Sequence, residues 1–325
     1  MDILLIAWNR FRRRRPKGNI GHELFRRDLA KYHNVAFYGQ QYPCNFRFDI
    51  TLQEIFERFG RPNFVFTHAE HRPHKNPTGI FDELGRTDIF KVHYSGDYWR
   101  RSWNSYDEHF RTVHYDIIFV PDSQILRDME QRGMNDGQKF LLPLSVDTGV
   151  FYDRHLEKTI DVASPIGVPN RYRKRLKELI DNLDLKTATK RVFFDNYVNR
   201  LNESKIIVTS NHRSHHLSFK YTETLACGTL IMGDRPTDLD TTGFKDGEHL
   251  ILYDSFDDME KKIEYFLAHD KEREAIAKNG MEFVRKYHSN RVRVAEMIEM
   301  IRTRKQVDWN ERIRKGYTPV FQVRN

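Results

Sequence analysis

The chain has 325 residues, 39% of them hydrophobic and 13% aromatic, which excludes a disordered protein and suffices for two α/β domains of roughly 150 residues each. The two cysteines give no indication of a disulfide framework and favour a reducing compartment, so we expect a cytoplasmic protein. The apolar run at residues 3–8 is much shorter than the roughly 20 residues that span a bilayer. The formal net charge of +8 would attract polyanions such as nucleic acid, anionic lipid or acidic glycans.

Apolar runs alternate with amphipathic segments along the first half of the chain. The predicted strands are residues 3–8, 35–38, 64–67, 90–94, 117–120 and 140–144. Several of these runs are uninterrupted, which is typical of strands buried on both faces of a parallel sheet. Residues 23–32, between the first two runs, have helical periodicity. This alternation predicts a doubly wound α/β domain over residues 1–150.

A second series of strands and helices follows a charged break at about residues 148–160 and predicts a second domain, 151–305. Its predicted strands are residues 160–167, 206–209, 230–232 and 249–253. Its predicted helices are residues 172–182, 193–201, 218–227, 257–268, 271–287 and 292–302. The tail, residues 306–325, has no clear period and is a candidate to pack back on the first domain.

Ligands of doubly wound sheets bind outside the carboxyl ends of the strands. Two such domains that face each other would therefore form a cleft with half of a site on each side.

The segment FKYTETLACG, residues 219–228, is followed by TLIMGDRP and then by GFKDGEHLILY. It resembles the donor-binding region of GT-B glycosyltransferases, particularly the spore-maturation CgeB-like proteins and glycosyltransferase family 4. YDIIFVPDSQILRDMEQRG resembles the end of that family's first domain, and DVASPIG resembles the first strand and turn of its second. The resemblance extends over about residues 115–300. It rests on the order and spacing of these motifs, which match those of the family. It implies two Rossmann-like domains, of which the first binds the acceptor and the second binds a nucleotide-diphosphate sugar as donor.

The resemblance assigns Glu223 to the ribose hydroxyls and Lys220 to the diphosphate. A carboxylate at a helix N-terminus can accept hydroxyl hydrogen bonds, and backbone N–H groups there favour phosphate charge. A glycine turn leading into a basic helix start can also approach a phosphate closely. The further donor-binding candidates are Tyr221, Thr222, Gly167, Arg171 and Arg173. As the alternative, Glu223 is an ordinary acid of a first helical turn, and the arginines form a solvated helix face.

His215 marks a departure from family 4, whose retaining enzymes carry a glutamate eight positions before the one matched by Glu223. His215 and His216 are therefore candidates to bind the sugar or the leaving phosphate, or else they are loop histidines. The sequence leaves open whether the reaction retains or inverts the anomeric configuration.

An inverting transfer needs a general base on the acceptor side. Asp97 follows the fourth predicted strand, and His68 and Glu70 follow the third. The carboxyl ends of both strands should face the cleft. The candidate acceptor-side residues are Gly18, Gly21, His22, Arg13, Arg14 and Trp99. A plain loop turn is the alternative for Asp97, and a solvated basic loop is the alternative for the arginines.

The triplet Asp238-Leu239-Asp240 has the D-x-D spacing of some glycosyltransferase metal sites, but it lies in a Pro- and Thr-rich turn. We therefore expect no metal site and no required cofactor, with the nucleotide sugar as co-substrate.

The resemblance implies a metal-independent hexosyltransferase that uses a UDP- or GDP-linked sugar, and we expect a glycan or lipid-linked acceptor. Peripheral association with a membrane fits the basic first domain. The first alternative is a phage-type DNA glycosyltransferase acting on a hydroxymethylated base, since arginines 12–15 could bind a phosphate backbone and aromatics at 98–103 could stack on a base. A non-catalytic nucleotide- or sugar-binding protein and a sugar epimerase are the remaining alternatives.

Overall fold

The computed structural model describes residues 1–7, 21–39, 50–69, 79–95, 103–134, 137–167, 170–210, 216–317 and 319. They form two compact units. The first comprises Met1–Pro143 and Val294–Val307, and the second comprises Leu144–Arg293 and Asp308–Pro319. The chain passes from the first unit to the second after Pro143, ahead of the predicted boundary at residue 150.

The first unit is built on a six-stranded parallel sheet with the strand order β2-β1-β3-β4-β5-β6. The strands are β1 (Asp2–Ala7), β2 (Asn34–Tyr38), β3 (Phe64–Ala69), β4 (Lys91–Ser95), β5 (Ile117–Val120) and β6 (Gln138–Leu141). The helices between them are α1 (Gly21–Tyr32), α2 (Leu52–Phe59), α3 (Ile80–Gly85), α4 (Trp103–Thr112) and α5 (Ser123–Gln131). The apolar runs of β1, β3 and β5 form inner strands whose side chains are mostly buried, which confirms their assignment as strands buried on both faces, whereas the run of β2 forms an edge strand.

The second unit is built on a five-stranded parallel sheet with the order β11-β10-β9-β7-β8. The strands are β7 (Ile160–Ala163), β8 (Thr187–Ala188), β9 (Ser204–Val208), β10 (Leu230–Gly233) and β11 (Ile251–Leu252). The helices are α6 (Arg171–Asp181), α7 (Asp195–Glu203), α8 (Phe219–Ala226), α9 (Phe256–Ala268), α10 (Asp270–Tyr287), α11 (Asn290–Thr303) and α12 (Trp309–Arg314). The two parallel sheets confirm the predicted α/β class.

Several predicted bounds need correction. The strand predicted at 160–167 ends at Ala163, because the chain then turns through Pro165 toward α6. The helix predicted at 193–201 begins at Asp195, and β8 was not predicted because a two-residue strand leaves no periodic pattern. Helix α12 forms in a tail that showed no period, and it belongs to the second unit.

Helix α11 passes from the second unit into the first, since the division falls between Arg293 and Val294. Within the second unit, α10 packs on α8 at Gly280. A Cβ atom there would collide with the His249 carbonyl oxygen and approach Leu225, so only glycine permits this close packing. Across the described ranges, no helix has the length and apolar character needed to cross a membrane.

Candidate functional site

A polar network lies at the carboxyl edge of the second sheet, where ligands of doubly wound domains bind. Ser210 follows β9, and its hydroxyl donates to the Asp234 carboxylate beyond β10 at 2.8 Å. Arg173 reaches this edge from the first turn of α6, and its Nε and Nη2 donate to the Ser210 carbonyl oxygen at 3.0 and 2.5 Å. The Tyr253 hydroxyl, beyond β11, donates to the Thr209 carbonyl oxygen at 2.9 Å. The network holds the loops after three neighbouring strands together.

Glu223 is a buried carboxylate in the middle of α8, with 3% of its surface exposed. The Tyr197 hydroxyl, from α7, donates to its Oε2 at 2.9 Å. Burial raises the pKa of Glu223 to about 7, although the positive charge of Lys220 and the Tyr197 hydrogen bond both act to lower it. A carboxyl with this pKa can accept hydroxyl hydrogen bonds when ionised and donate one when protonated.

Glu223 lies beyond the first turn of α8, which contains no acid, so the expected position of its carboxylate at the helix N-terminus is wrong. The helix dipole therefore does not account for this residue, and the reading of Glu223 as an ordinary first-turn acid is wrong. Almost complete burial of an acid requires a specific partner, and Tyr197 is that partner.

Tyr221 and Thr222 are fully buried in α8 and turn away from solvent. The Tyr221 hydroxyl donates to the Asp234 carbonyl oxygen at 2.6 Å, and the Thr222 hydroxyl donates to the Phe219 carbonyl oxygen at 3.2 Å. Gly233 leaves room for the Tyr221 phenol, because a Cβ atom there would collide with it. The Tyr221 side chain positions α8 against the end of β10, whereas the Thr222 bond lies within α8.

The turn after β7 carries Gly167, with the guanidinium of Arg191 beside it. A Cβ atom on Gly167 would lie 3.5 Å from Arg191 Nη1. Arg171 is exposed at the first residue of α6, while Arg173 is half-buried and bonded to Ser210 as described above. Of the two predicted arginines, Arg171 is the one that presents its side chain to solvent.

The sequence patterns did not predict Ser210, Asp234, Tyr197 and Arg191 as residues of this region. Asp234 directly follows β10 and Ser210 lies two residues beyond β9, so polar residues at the ends of these apolar strands could have been recognised. Nothing in the local pattern indicates Tyr197 or Arg191, because the bond to Glu223 and the approach to Gly167 join segments that are distant in sequence.

In the first unit, His68 lies near the carboxyl end of β3 with 1% of its surface exposed. Its ring lies edge-on to His22 at 4.6 Å and to Tyr94 at 4.9 Å between centroids. Neither ring nitrogen of His68 has a hydrogen-bond partner within the described ranges. Burial, with the nearby charges of His22, Arg26 and His93, holds the pKa of His68 well below its usual range, so the ring is neutral at neutral pH.

The remaining predicted residues are only partly covered by the structure. Gly21 and His22 are buried at the start of α1, and His216 is buried just before α8. The predicted residues outside the described ranges are Asp97, Glu70, His215, Gly18, Arg13, Arg14 and Trp99.

In the described part of the chain, no group of three or more His, Cys, Asp or Glu side chains could hold a metal ion. In the D-x-D triplet, Asp238 is buried, and the exposed Asp240 lies 3.4 Å from Arg235.

Comparison with known proteins adds a family match for part of the chain. Residues 154–299 match the family described as "Glycosyl transferase-like". No curated protein matches the sequence.

Among solved structures, a glycosyltransferase from Rickettsia africae has a TM-score of 0.65 and 12% identity, covering 92% of this chain and 97% of its own. Sucrose-phosphate synthase from Thermosynechococcus elongatus has a TM-score of 0.62 and 13% identity, covering 93% and 98%. HepE from Anabaena, in complex with UDP, has a TM-score of 0.60 and 12% identity, covering 93% and 100%. At such identities the likeness shows the fold. The chain therefore has the GT-B glycosyltransferase fold, and its residues 154–299 match the glycosyl transferase-like family.

Proposed function

We propose that this protein is a glycosyltransferase that moves a hexose from a UDP- or GDP-linked donor to an acceptor hydroxyl on a glycan or lipid-linked glycan. The observation that carries the proposal is the buried carboxylate of Glu223, held by Tyr197, within the segment that matches the family. The HepE structures with UDP and with UDP-glucose support a uridine nucleotide and a hexose, respectively.

In this proposal Glu223 binds the ribose diol of the donor. An ionised carboxylate accepts two hydroxyl hydrogen bonds, which a diol supplies. The Tyr197 hydroxyl fixes one oxygen of the carboxylate, so the group is oriented before the donor arrives. Burial strengthens these hydrogen bonds, because water competes for them less than at the surface.

The donor diphosphate is assigned to Lys220, Arg171 and the first backbone N–H groups of α6. Asn170 caps this helix by accepting from the Arg173 backbone N–H at 2.9 Å. A capped helix N-terminus and two cations favour the charge of a diphosphate and stabilise the leaving nucleotide. The role assigned to Arg173 is to brace the loop that contains Ser210.

The acceptor is assigned to the carboxyl edge of the first sheet, with Asp97, His68 or Glu70 as general base. The lowered pKa of His68 keeps its imidazole unprotonated and also makes it a weak base, so Asp97 and Glu70 are the stronger candidates. We propose that no metal or cofactor takes part.

DNA is the alternative acceptor, and the net charge of +8 with the run of arginines at 12–15 favours it. A protein with either acceptor would act in the cytoplasm. With a lipid-linked acceptor it would work at the membrane surface.

The test is a thermal-shift panel with UDP, GDP, ADP and CMP on the parent protein and on Glu223→Gln. A ligand that binds only the folded state adds about 2.7 kcal/mol of stability at one hundred times its Kd. We expect one nucleotide to raise the melting temperature of the parent and to have much less effect on Glu223→Gln. The exposed acid Glu282 of α10 provides the matched control, Glu282→Gln. Equal shifts in the parent and Glu223→Gln would remove Glu223 from the site, and the absence of any shift in the parent would overturn the donor assignment.

A further inference from the structure

The loop between β8 and α7 exposes two adjacent phenylalanines. Phe193 is 39% exposed and Phe194 is 44% exposed. Phe194 also has φ 52°, a left-handed conformation that non-glycine residues rarely adopt. Strained residues that persist in a fold are concentrated at binding sites. The packing of the second unit therefore does not explain why both rings are exposed and why Phe194 is strained.

Hydrogen bonds fix both ends of this loop. At the start, Thr189 donates its hydroxyl to the Asp181 carboxylate at 2.8 Å, and its carbonyl oxygen accepts from Lys177. At the end, Arg154 donates to Asn199 at 2.6 Å and to Asp195 at 3.2 Å. The two aromatic rings are thus presented by a braced loop, so their exposure does not result from fraying.

Arg191 connects the loop to the turn after β7. Its guanidinium carbon lies 4.8 Å from the centroid of the Phe193 ring, within the range of a cation–π interaction. The same guanidinium lies beside Gly167, as described above. The exposed aromatic pair and a cation therefore lie together at the carboxyl edge of the sheet.

Tyr197 connects the loop to Glu223. Its backbone N–H donates to the Phe194 carbonyl oxygen at 2.8 Å, and its hydroxyl donates to the Glu223 carboxylate at 2.9 Å. A single residue thus joins the backbone of the strained phenylalanine to the carboxylate assigned to the ribose.

We infer that Phe193 and Phe194 form a stacking platform for the base of the donor nucleotide, an inference that rests on the proposed function. The base is bonded directly to the ribose, so a ribose held at Glu223 brings the base to an adjacent surface. Every nucleobase has a flat π-face that stacks on aromatic rings. Arg191 adds a cation that can contact the electron-rich edge of the base or a phosphate group of the nucleotide.

The test compares two double variants of the full chain. Phe193→Leu/Phe194→Leu keeps apolar side chains and removes the rings, while Phe193→Tyr/Phe194→Tyr keeps the rings. Isothermal titration calorimetry measures the affinity for the nucleotide that binds the parent most tightly and, by competition, for pyrophosphate, which has no base. Tyr265→Leu, which removes an exposed aromatic ring from α9, is the matched control.

We expect the leucine pair to weaken nucleotide binding roughly tenfold or more, the scale of losing one stacked base. The tyrosine pair and Tyr265→Leu should bind the nucleotide as the parent does, and pyrophosphate affinity should not change. Parent-like nucleotide affinity in the leucine pair would overturn the platform and leave the donor site at Glu223 standing. An equal loss of nucleotide and pyrophosphate affinity would also overturn it, since the loop would then only support the site. A parent that binds no nucleotide would overturn both proposals.

Discussion

Glu223 shows how one position within a helix determines the chemistry of a residue. On an exposed helix face this acid would be ionised at neutral pH, but within α8 its burial raises the pKa from 4.5 to about 7. A folded-state pKa above the unfolded value contributes stability that is fully present below pH 4.5 and is lost as the pH rises through 7.

Glu223→Gln should therefore change the pH dependence of stability. Gln cannot ionise, so the variant avoids the cost of a buried charge at high pH, which is about 3 kcal/mol at most. We expect the melting temperature of the variant relative to that of the parent to be higher at pH 8 than at pH 5. Thermal melts of both proteins across this range check the prediction, and parallel curves would show that Glu223 does not titrate abnormally.

Tyr197 is the second residue whose role depends on one contact. Tyr197→Phe removes the hydrogen bond to Glu223, and a bond to a charged group is worth roughly 1.5–3 kcal/mol. We expect nucleotide affinity to fall roughly tenfold and the melting temperature to fall more at pH 8 than at pH 5. Calorimetric titration checks the affinity, with the exposed Tyr152→Phe as control. Unchanged binding would show that the hydroxyl does not orient the carboxylate.

At the scale of elements, a polar network joins β3 and β4 to the residues around α4. Thr67 Oγ1 lies 2.7 Å from His93 Nδ1 and 2.8 Å from the Tyr115 hydroxyl, which lies 2.7 Å from His109 Nε2. Burial lowers the pKa of His93 to about 3, so the folded state holds this ring neutral. The lowered pKa contributes stability that is present above pH 6.5 and is lost as the pH falls toward 3.

His93→Gln should reduce the acid sensitivity of the first unit. The side chain of Gln has no proton to gain in this range, so the difference in melting temperature between pH 7.5 and pH 5 should be smaller in the variant. The loss of ring packing lowers stability at both pH values. The prediction therefore concerns the slope of melting temperature against pH and not the melting temperature itself. An unchanged slope would mean that the acid sensitivity arises from other groups, of which the buried His68 is the first to test.

The contact between α10 and α8 depends on the missing side chain of Gly280. Gly280→Ala places a methyl group against the His249 carbonyl oxygen, and overpacking of this kind costs roughly 1–3 kcal/mol. Ala is more favourable than Gly within a helix by about 1 kcal/mol, and this effect would increase stability. We expect the packing cost to be larger, so that the free energy of unfolding falls, and urea unfolding measures this change. The exposed Asn279→Ala on the same helix is the control.

At the scale of the whole molecule, the net charge of +8 makes a prediction about the acceptor. If DNA is the acceptor, its affinity should fall steeply between 50 and 200 mM salt, by roughly a thousandfold for six phosphate contacts. Arg13→Ala/Arg14→Ala should reduce the salt dependence. Binding of a short duplex, measured by fluorescence anisotropy at both salt concentrations, checks this. The absence of duplex binding at low salt would exclude DNA and leave glycan and lipid-linked acceptors.

Most of the strands could be predicted from the sequence because a parallel strand that is buried on both faces consists mainly of apolar residues. The runs at β1, β3 and β5 show this directly, and their alternation with helices determined the α/β class. The resemblance of the segment FKYTETLACG to the donor-binding region of GT-B glycosyltransferases predicted a helix there, and α8 occupies these residues. Short elements such as β8 and the start of α7 were missed or shifted, since two or three residues carry no periodicity.

The sequence by itself therefore determined the fold class, and it suggested a donor-binding helix and a role for Glu223, both of which stay predictions. Only the tertiary structure decided that this acid is buried beneath the Tyr197 hydroxyl, that Tyr221 braces the end of β10, and that Arg191 lies beside Gly167. The physical reason is that periodicity and propensity act over a few neighbouring residues. Burial, pKa and hydrogen-bond partners depend instead on segments that the fold brings together from distant parts of the chain.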